Sequence, residues 1–110
     1  MVKNNSKVSA SHILIMHKES QDSRSSITKD SAKKKIDNIH QEILDGKISF
    51  ADAAVQNSDC SSGQSGGNLG EFAKGMMVKA FEDVAFSMDI NEVSKPFESE
   101  FGFHIIKRDA

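Results

Sequence analysis

The segment Val8-Ser-Ala-Ser-His-Ile-Leu-Ile-Met16 decides the fold, because it predicts a β-strand with apolar residues on both of its faces. In such a strand His12 and Leu14 point to one side, whereas Ile13 and Ile15 point to the other. Apolar residues on both sides are typical of an interior strand that is covered twice. The pattern therefore places His12 within the sheet rather than on a loop.

The rest of the chain predicts helices packed on a mostly antiparallel sheet, which is an α+β fold. Apolar residues at helical spacing indicate a long helix that Thr28 or Asp30 caps and that ends near Gly46. Residues 1–7 are predicted to be a flexible N-terminus, and residues 8–110 a single domain. The further elements, in chain order, are a short helix opening at Ser49, an irregular segment at 57–68, an extended segment at 69–72, a helix at 79–88 and a strand at 103–108.

Composition and charge limit the classes of function. The chain has 110 residues, 37% of them hydrophobic and 27% charged, which is typical of one globular domain. A net charge of -2 gives no electrostatic reason to expect nucleic acid or an anionic membrane as a partner. No apolar run approaches the roughly 20 residues that span a bilayer. Because Cys60 is the single cysteine, no disulfide forms within the chain, and we predict a cytoplasmic protein, also nuclear if the source is eukaryotic.

His12 and His104 lie in the first and last predicted strands, each among apolar residues. One such histidine is most often a core residue whose ring nitrogens are satisfied. Two histidines in strands that neighbour each other can instead bond to one another and leave their outer nitrogens for a hydroxyl or a thiol.

Cys60 lies in a segment rich in glycine and serine and has two interpretations. With His12 or His104 beside it, the thiol resembles the nucleophile of a cysteine hydrolase, because an imidazole lowers the pKa of a thiol. A lone cysteine is, however, more often a small buried residue without chemistry. The histidines and this cysteine lack the close spacing of zinc ligands, so we expect no metal.

A set of apolar side chains surrounds a glycine-flanked segment and is either ordinary core or a pocket. Flexible Met and flat Phe side chains suit a pocket that receives a compact apolar ring. The members are Leu69, Phe72, Met76, Met77, Phe81 and Phe103.

Taken together, these segments resemble the parvulins, a family of peptidyl-prolyl cis/trans isomerases with the FKBP-like superfold. No single match is decisive, but all occur in the family's order and with similar spacing. The matching stretches are Ser11-His-Ile-Leu-Ile15, Ser58-Asp-Cys-Ser-Ser-Gly63, Gly66-Gly-Asn-Leu-Gly-Glu-Phe72, Lys74-Gly-Met-Met-Val-Lys-Ala-Phe-Glu82, Val84-Ala-Phe-Ser87 and Glu100-Phe-Gly-Phe-His-Ile-Ile-Lys107.

The resemblance implies a four-stranded antiparallel sheet surrounded by four helices, one of them short and near residues 60–67. It implies isomerase activity without a cofactor. Four residues match the family's catalytic positions, namely His12, Cys60, Ser99 and His104. The proline pocket is matched by Leu69, Met77 and Phe81, with Phe72 and Phe103 as supporting residues and with Phe101 in place of a serine found in some members. Cys60 matches a position that is aspartate in other members, which counts against a nucleophilic role.

The implied partners are proline-containing peptide segments, bound by a monomer. Some parvulins prefer phosphoserine or phosphothreonine before proline and read the phosphate with basic residues in the loop after the first strand. Here Lys18 and Arg24 are the candidates, beside the acidic Glu19 and Asp22. The sequence contains no tryptophan and therefore no appended WW domain. The alternative function is a chaperone-like module that holds proline segments in the same groove without accelerating their isomerisation.

Overall fold

The computed structural model describes residues 7–20, 23 and 25–110 and shows the predicted α+β architecture. The elements in chain order are β1 (Lys7–Ile15), α1 (Lys29–Leu44), α2 (Phe50–Asn57), a 3-10 helix (Ser61–Ser65), β2 (Asn68–Ala73), α3 (Lys79–Ser87), β3 (Phe97–Ser99) and β4 (Gly102–Arg108). The short helix that the resemblance implied near Cys60 is thus a 3-10 helix, beside three α-helices. Strand β1 includes Lys7, and residues 1–6 of the predicted flexible N-terminus lie outside the described residues. Within the described part of the chain, no helix is both long and apolar enough to cross a membrane.

The four strands form one antiparallel sheet in the order β2-β1-β4-β3. Strand β1 lies in the interior, as its apolar residues predicted. Its pairing with β4 places His12 opposite Ile106 and Leu14 opposite His104. The two histidines therefore occupy neighbouring strands and the same side of the sheet, although 92 residues separate them in the sequence.

Each face of the sheet is covered by its own core. On one face Ile13 and Ile15 pack with Ile36 of α1 and Phe50 of α2. On the other face the core joins β1, β2 and β4 to α3, through Val8, Ala10, Phe72, Phe81, Ala85, Met88 and Ile106. Alternating side chains of β1 thus serve both cores, which is why this strand is apolar on both sides.

Side-chain caps fix where the first two helices begin. The hydroxyl of Thr28 accepts a hydrogen bond from the backbone N–H of Ser31, and the hydroxyl of Ser49 accepts one from Asp52. Each cap satisfies an N–H group that has no partner inside the helix. Of the two predicted caps for α1, Thr28 is therefore the one used.

Candidate active site

His12 and His104 lie side by side on the face of the sheet that α3 covers. Both are buried, with 6% and 3% of their surfaces exposed. Their Nδ1 atoms are 3.4 Å apart, and the rings are stacked with 5.5 Å between centroids. One Nδ1 donates and the other accepts, so each ring keeps its Nε2 for a different partner.

The outer nitrogen of His104 bonds to the hydroxyl of Ser99 in β3, at 2.7 Å between Nε2 and Oγ. The Ser99 oxygen also accepts a hydrogen bond from the backbone N–H of Phe101, at 3.1 Å. Burial, together with the neighbouring His12, lowers the pKa of His104 to about 3. His104 is therefore neutral at physiological pH.

Cys60 stands at the start of the 3-10 helix, and its sulfur accepts a hydrogen bond from the hydroxyl of Ser62 at 3.3 Å. The imidazole of His12 is the main reason that the pKa of the Cys60 thiol falls to about 6; burial opposes this effect and Ser62 adds to it. Nε2 of His12 nevertheless has no hydrogen-bond partner of ordinary geometry among the described residues. The contact between ring and thiol is thus a loose one that favours the thiolate.

A thiolate at Cys60 selects one arrangement of protons in this row of side chains. The thiolate accepts, so the nitrogen of His12 that is not engaged with His104 carries a proton. Nδ1 of His12 then accepts from His104, and Nε2 of His104 accepts from the Ser99 hydroxyl. Each ring nitrogen in the row Cys60, His12, His104 and Ser99 then has a defined role as donor or acceptor.

Next to this polar row lies an open groove of about 480 Å³ with an almost entirely apolar lining. Its floor is Phe81, which is 3% exposed and meets the rings of His12 and His104 edge-on at 5.5 and 5.6 Å between centroids. Met76, on the rim, is 67% exposed. The lining residues are His12, Leu14, Cys60, Leu69, Met76, Met77, Val78, Phe81, Phe101 and His104.

The loop that carries Cys60 is fastened to the end of β1 by three hydrogen bonds. The backbone N–H of Leu14 donates to the Ser58 hydroxyl at 3.0 Å, and the Asp59 N–H donates to the Leu14 carbonyl at 2.7 Å. The Asp59 carboxylate accepts from the N–H of Met16 at 2.8 Å. These bonds fix the distance between the thiol and the histidine pair.

The structure brings most of the predicted site residues together. His12, Cys60 and His104 line the groove with Leu69, Met77, Phe81 and Phe101, and Ser99 bonds to His104. Phe72 does not line the groove, but its ring lies 5.8 Å from that of Phe81 and supports it. The sequence did not single out Leu14, Val78 or Ser62, whose contacts depend on how the loops fold.

Phe103 is a correction to the predicted pocket. It alternates with His104 along β4, so its side chain points to the opposite face, where it belongs to the core of α1 and α2. Of the two candidate phosphate-binding residues, Lys18 is exposed in the β1–α1 loop and does not line the groove. Arg24 lies outside the described residues.

Within the described residues no group of three or more His, Cys, Asp or Glu side chains is placed to hold a metal ion.

Comparison with known proteins gives one consistent family. A family model described as "Rotamase: PPIC-type PPIASE domain" matches residues 12–110. The chain is 41% identical to peptidyl-prolyl cis-trans isomerase pin1 of Schizosaccharomyces pombe, over 97% of this chain and 65% of that protein. It is 39% identical to peptidyl-prolyl cis-trans isomerase Pin1 of Digitalis lanata, over 93% of this chain and 95% of that protein.

Solved structures agree. Peptidyl-prolyl isomerase ESS1 from Candida albicans superimposes with a TM-score of 0.94 at 33% identity, over all of this chain and 66% of that one. TbPIN1 superimposes with a TM-score of 0.85 at 37% identity, over 96% and 98% of the two chains. The chain thus spans about two thirds of the two fungal relatives and nearly the whole of the two shorter ones.

Proposed function

This chain belongs to the PPIC-type peptidyl-prolyl cis/trans isomerase family, the parvulins, and from that premise we propose that its groove binds Xaa–Pro segments and lowers the barrier to rotation without a covalent step. The observation that carries the proposal is the groove over Phe81, which places an apolar surface directly beside the row Cys60, His12, His104 and Ser99. The apolar surface suits a proline ring, and the polar row suits an amide that twists.

The chemical task is rotation about a bond with partial double-bond character. The barrier is about 18–20 kcal/mol, because resonance is lost when the amide twists. Left alone, an Xaa–Pro bond exchanges over about 10–100 s at 25 °C. A thousandfold acceleration needs only about 4 kcal/mol of preferential binding to the twisted state.

The residues divide this task between them. Leu69, Met77 and Phe81 hold the proline ring and exclude water from it. The bond then rotates on the carbonyl side, where the polar row presents a negative sulfur and the dipoles of its hydrogen bonds to the changing dipole of the amide. Because His104 is neutral and fixed by Ser99, the site needs no net proton transfer to complete a turn.

The first test is exchange spectroscopy by NMR on short Xaa–Pro peptides, with the chain kept far below the peptide concentration. We expect exchange to accelerate in proportion to the amount of chain added. A passive proline-binding module would instead shift peptide signals and leave the exchange rate unchanged, and that result would overturn the proposal.

Cys60→Asp separates the isomerase from a cysteine hydrolase, the other chemistry that the thiol suggested. An aspartate keeps a negative group beside His12 but forms no thioester. We expect the variant to retain part of the isomerase activity, and the wild-type chain to form no covalent adduct with substrate by mass spectrometry. Complete loss in Cys60→Asp together with a trapped acyl adduct would identify a hydrolase.

The choice of residue before proline is tested with Ala, Leu, Glu and phosphoserine peptides. Because no Lys or Arg lines the groove within the described residues, we expect Leu to exchange faster than phosphoserine. The opposite ranking, abolished by Lys18→Gln, would support the phosphate role predicted for Lys18 and Arg24. A monomeric state and a cytoplasmic location stay predictions from the sequence.

A further inference from the structure

His17 is a buried polar residue that the proposed chemistry does not use. It follows β1 at the base of the β1–α1 loop and is only 4% exposed. Its Nδ1 accepts a hydrogen bond from the backbone N–H of Glu19 at 3.2 Å, whereas its Nε2 is buried with no hydrogen-bond partner among the described residues. Buried polar atoms without a partner are rare in folded proteins and call for an explanation.

The bond from Glu19 fixes the tautomer of a neutral His17 ring. Nδ1 uses its lone pair to accept, so the proton sits on Nε2. That nitrogen lies 3.8 Å from Oε2 of Glu98 in β3, too far for a hydrogen bond but directly beside a carboxylate. The same oxygen is 3.0 Å from Nζ of Lys29, at the start of α1. Glu98 therefore lies between a buried donor and an exposed one.

The position of Glu98 connects His17 with the active site. Glu98 is the neighbour of Ser99, whose hydroxyl holds Nε2 of His104. The ring of His17 also packs against Phe103, 5.7 Å away, and Phe103 is the residue paired with Glu98 across the β3–β4 hairpin. His17 thus supports this hairpin from the face opposite the groove.

We propose that His17 is a positioning residue of the isomerase. Its Nε2–H interacts with the Glu98 carboxylate and thereby links the base of the β1–α1 loop to the β3–β4 hairpin. This link holds Ser99 and Phe101 at the groove. The expected effect on catalysis rests on the proposed function. The contact between His17 and Glu98 can be tested whether or not the chain is an isomerase.

The test combines side-chain variants with two readouts. His17→Phe keeps a ring against Phe103 and removes the donor, His17→Gln restores a donor, and Glu98→Gln removes the charge at an exposed position. We expect His17→Phe and Glu98→Gln each to lower kcat by about tenfold with little change in KM, because a displaced hairpin moves Ser99 and with it His104, whereas Leu69, Met77 and Phe81, which hold the proline ring, lie outside the hairpin. His17→Gln should recover most of the activity.

The double variant is the sharpest part of the experiment. If the two residues act through one contact, His17→Phe with Glu98→Gln should lose no more than either variant alone. Additive losses would overturn the proposal. Matched controls are Glu100→Gln, an exposed carboxylate of the same hairpin, and Lys29→Gln, which removes the ion pair and spares His17. Both should keep wild-type rates, and an equal loss in Lys29→Gln would assign the effect to the surface ion pair instead.

The second readout needs no substrate. Nitrogen-15 spectra of the histidine side chains should show His17 as the tautomer protonated on Nε2, with a shift of this N–H in Glu98→Gln and not in Glu100→Gln. A proton on Nδ1 would overturn the proposal even if the chain is an active isomerase. Conversely, failure of the chain to accelerate cis/trans exchange would contradict the proposed function, and the spectra would still test the contact between His17 and Glu98. Should His17→Phe not fold, Glu98→Gln and the spectra decide the matter.

Discussion

At the scale of single residues, the site depends on a histidine kept neutral by its surroundings. His104 is stacked on Phe97 with 5.2 Å between ring centroids and meets Phe81 edge-on. Water cannot solvate an imidazolium there, and the neighbouring His12 would repel it. Protonation of His104 is therefore unfavourable in the folded state but not in the unfolded state.

His104 should make the stability of the chain depend on pH. Its pKa is about 3 in the folded chain and 6.5 in an ordinary environment, so the unfolded state binds more protons between these values. The stabilisation is fully present above pH 6.5 and is lost as the pH falls towards 3. Urea unfolding at pH 7, 5.5 and 4.5 should show a steeper loss for the wild type than for His104→Asn. Parallel losses in the two chains would contradict the lowered pKa.

The sequence predicted which side chains lie together where a strand or a motif placed them. His12 and His104 follow from apolar strands, and Cys60 and Ser99 from the resemblance. Phe103 was misplaced because the residue next to His104 in the sequence points to the other face of β4. His17 was not predicted at all, since its burial results from packing between a loop and a hairpin distant in sequence.

At the scale of elements, the close approach between β1 and the residue that precedes β2 requires a glycine. Gly67 has φ of 84°, its carbonyl accepts the N–H of His12 at 2.9 Å, and a Cβ built on it would collide with the backbone oxygen of His12. Gly70 has nearly the same φ, 73°, but open space around it. Substitution of Gly70 therefore tests the effect of the positive φ alone, whereas substitution of Gly67 adds a steric collision.

Gly67→Ala should therefore cost more stability than Gly70→Ala. The positive φ alone costs roughly 1–2 kcal/mol in either variant. The collision adds to this only at position 67, and it pushes on the strand that carries His12. Urea midpoints measure the difference, and exchange rates should fall only for Gly67→Ala. Equal midpoints would mean that β1 yields to the extra methyl group.

Helices and strands were largely predictable because hydrophobic spacing and capping residues are local signals. The bounds of α1, α2 and α3 differ from the expected ones by a residue or so. The pairing of β1 with β2 shifts register between Ala10 and Ser11, and nothing in the sequence indicates this irregularity. It arises from the meeting of two strands, which is a property of the sheet and not of either segment.

At the scale of the whole molecule, two cores on opposite faces of one sheet serve different purposes. Ile36 belongs to the core of α1 and α2, whereas Phe72 belongs to the core beneath the groove and touches Phe81. Loss of either side chain leaves a cavity, but only the cavity at Phe72 lies next to the groove.

Ile36→Ala should destabilise the fold by about 2–5 kcal/mol and Phe72→Ala by about 3–5 kcal/mol. We expect kcat/KM of the folded fraction to fall only for Phe72→Ala, because Phe81 loses its support there. Unfolding curves and exchange rates on the same samples provide both numbers. Lys35→Ala, an exposed change on the same helix as Ile36, is the control. Equal activity losses in the two core variants would show that the faces are coupled.

The pairing of β1 with β4 has a consequence for synthesis of the chain on the ribosome. His12 emerges from the exit tunnel 92 residues before His104, the residue that completes the pair. Until β4 has emerged, β1 has only β2 beside it, and neither the histidine pair nor the hydrogen bond between Ser99 and His104 exists. The row of side chains beside the groove is therefore assembled only when the last strand of the sheet has been made.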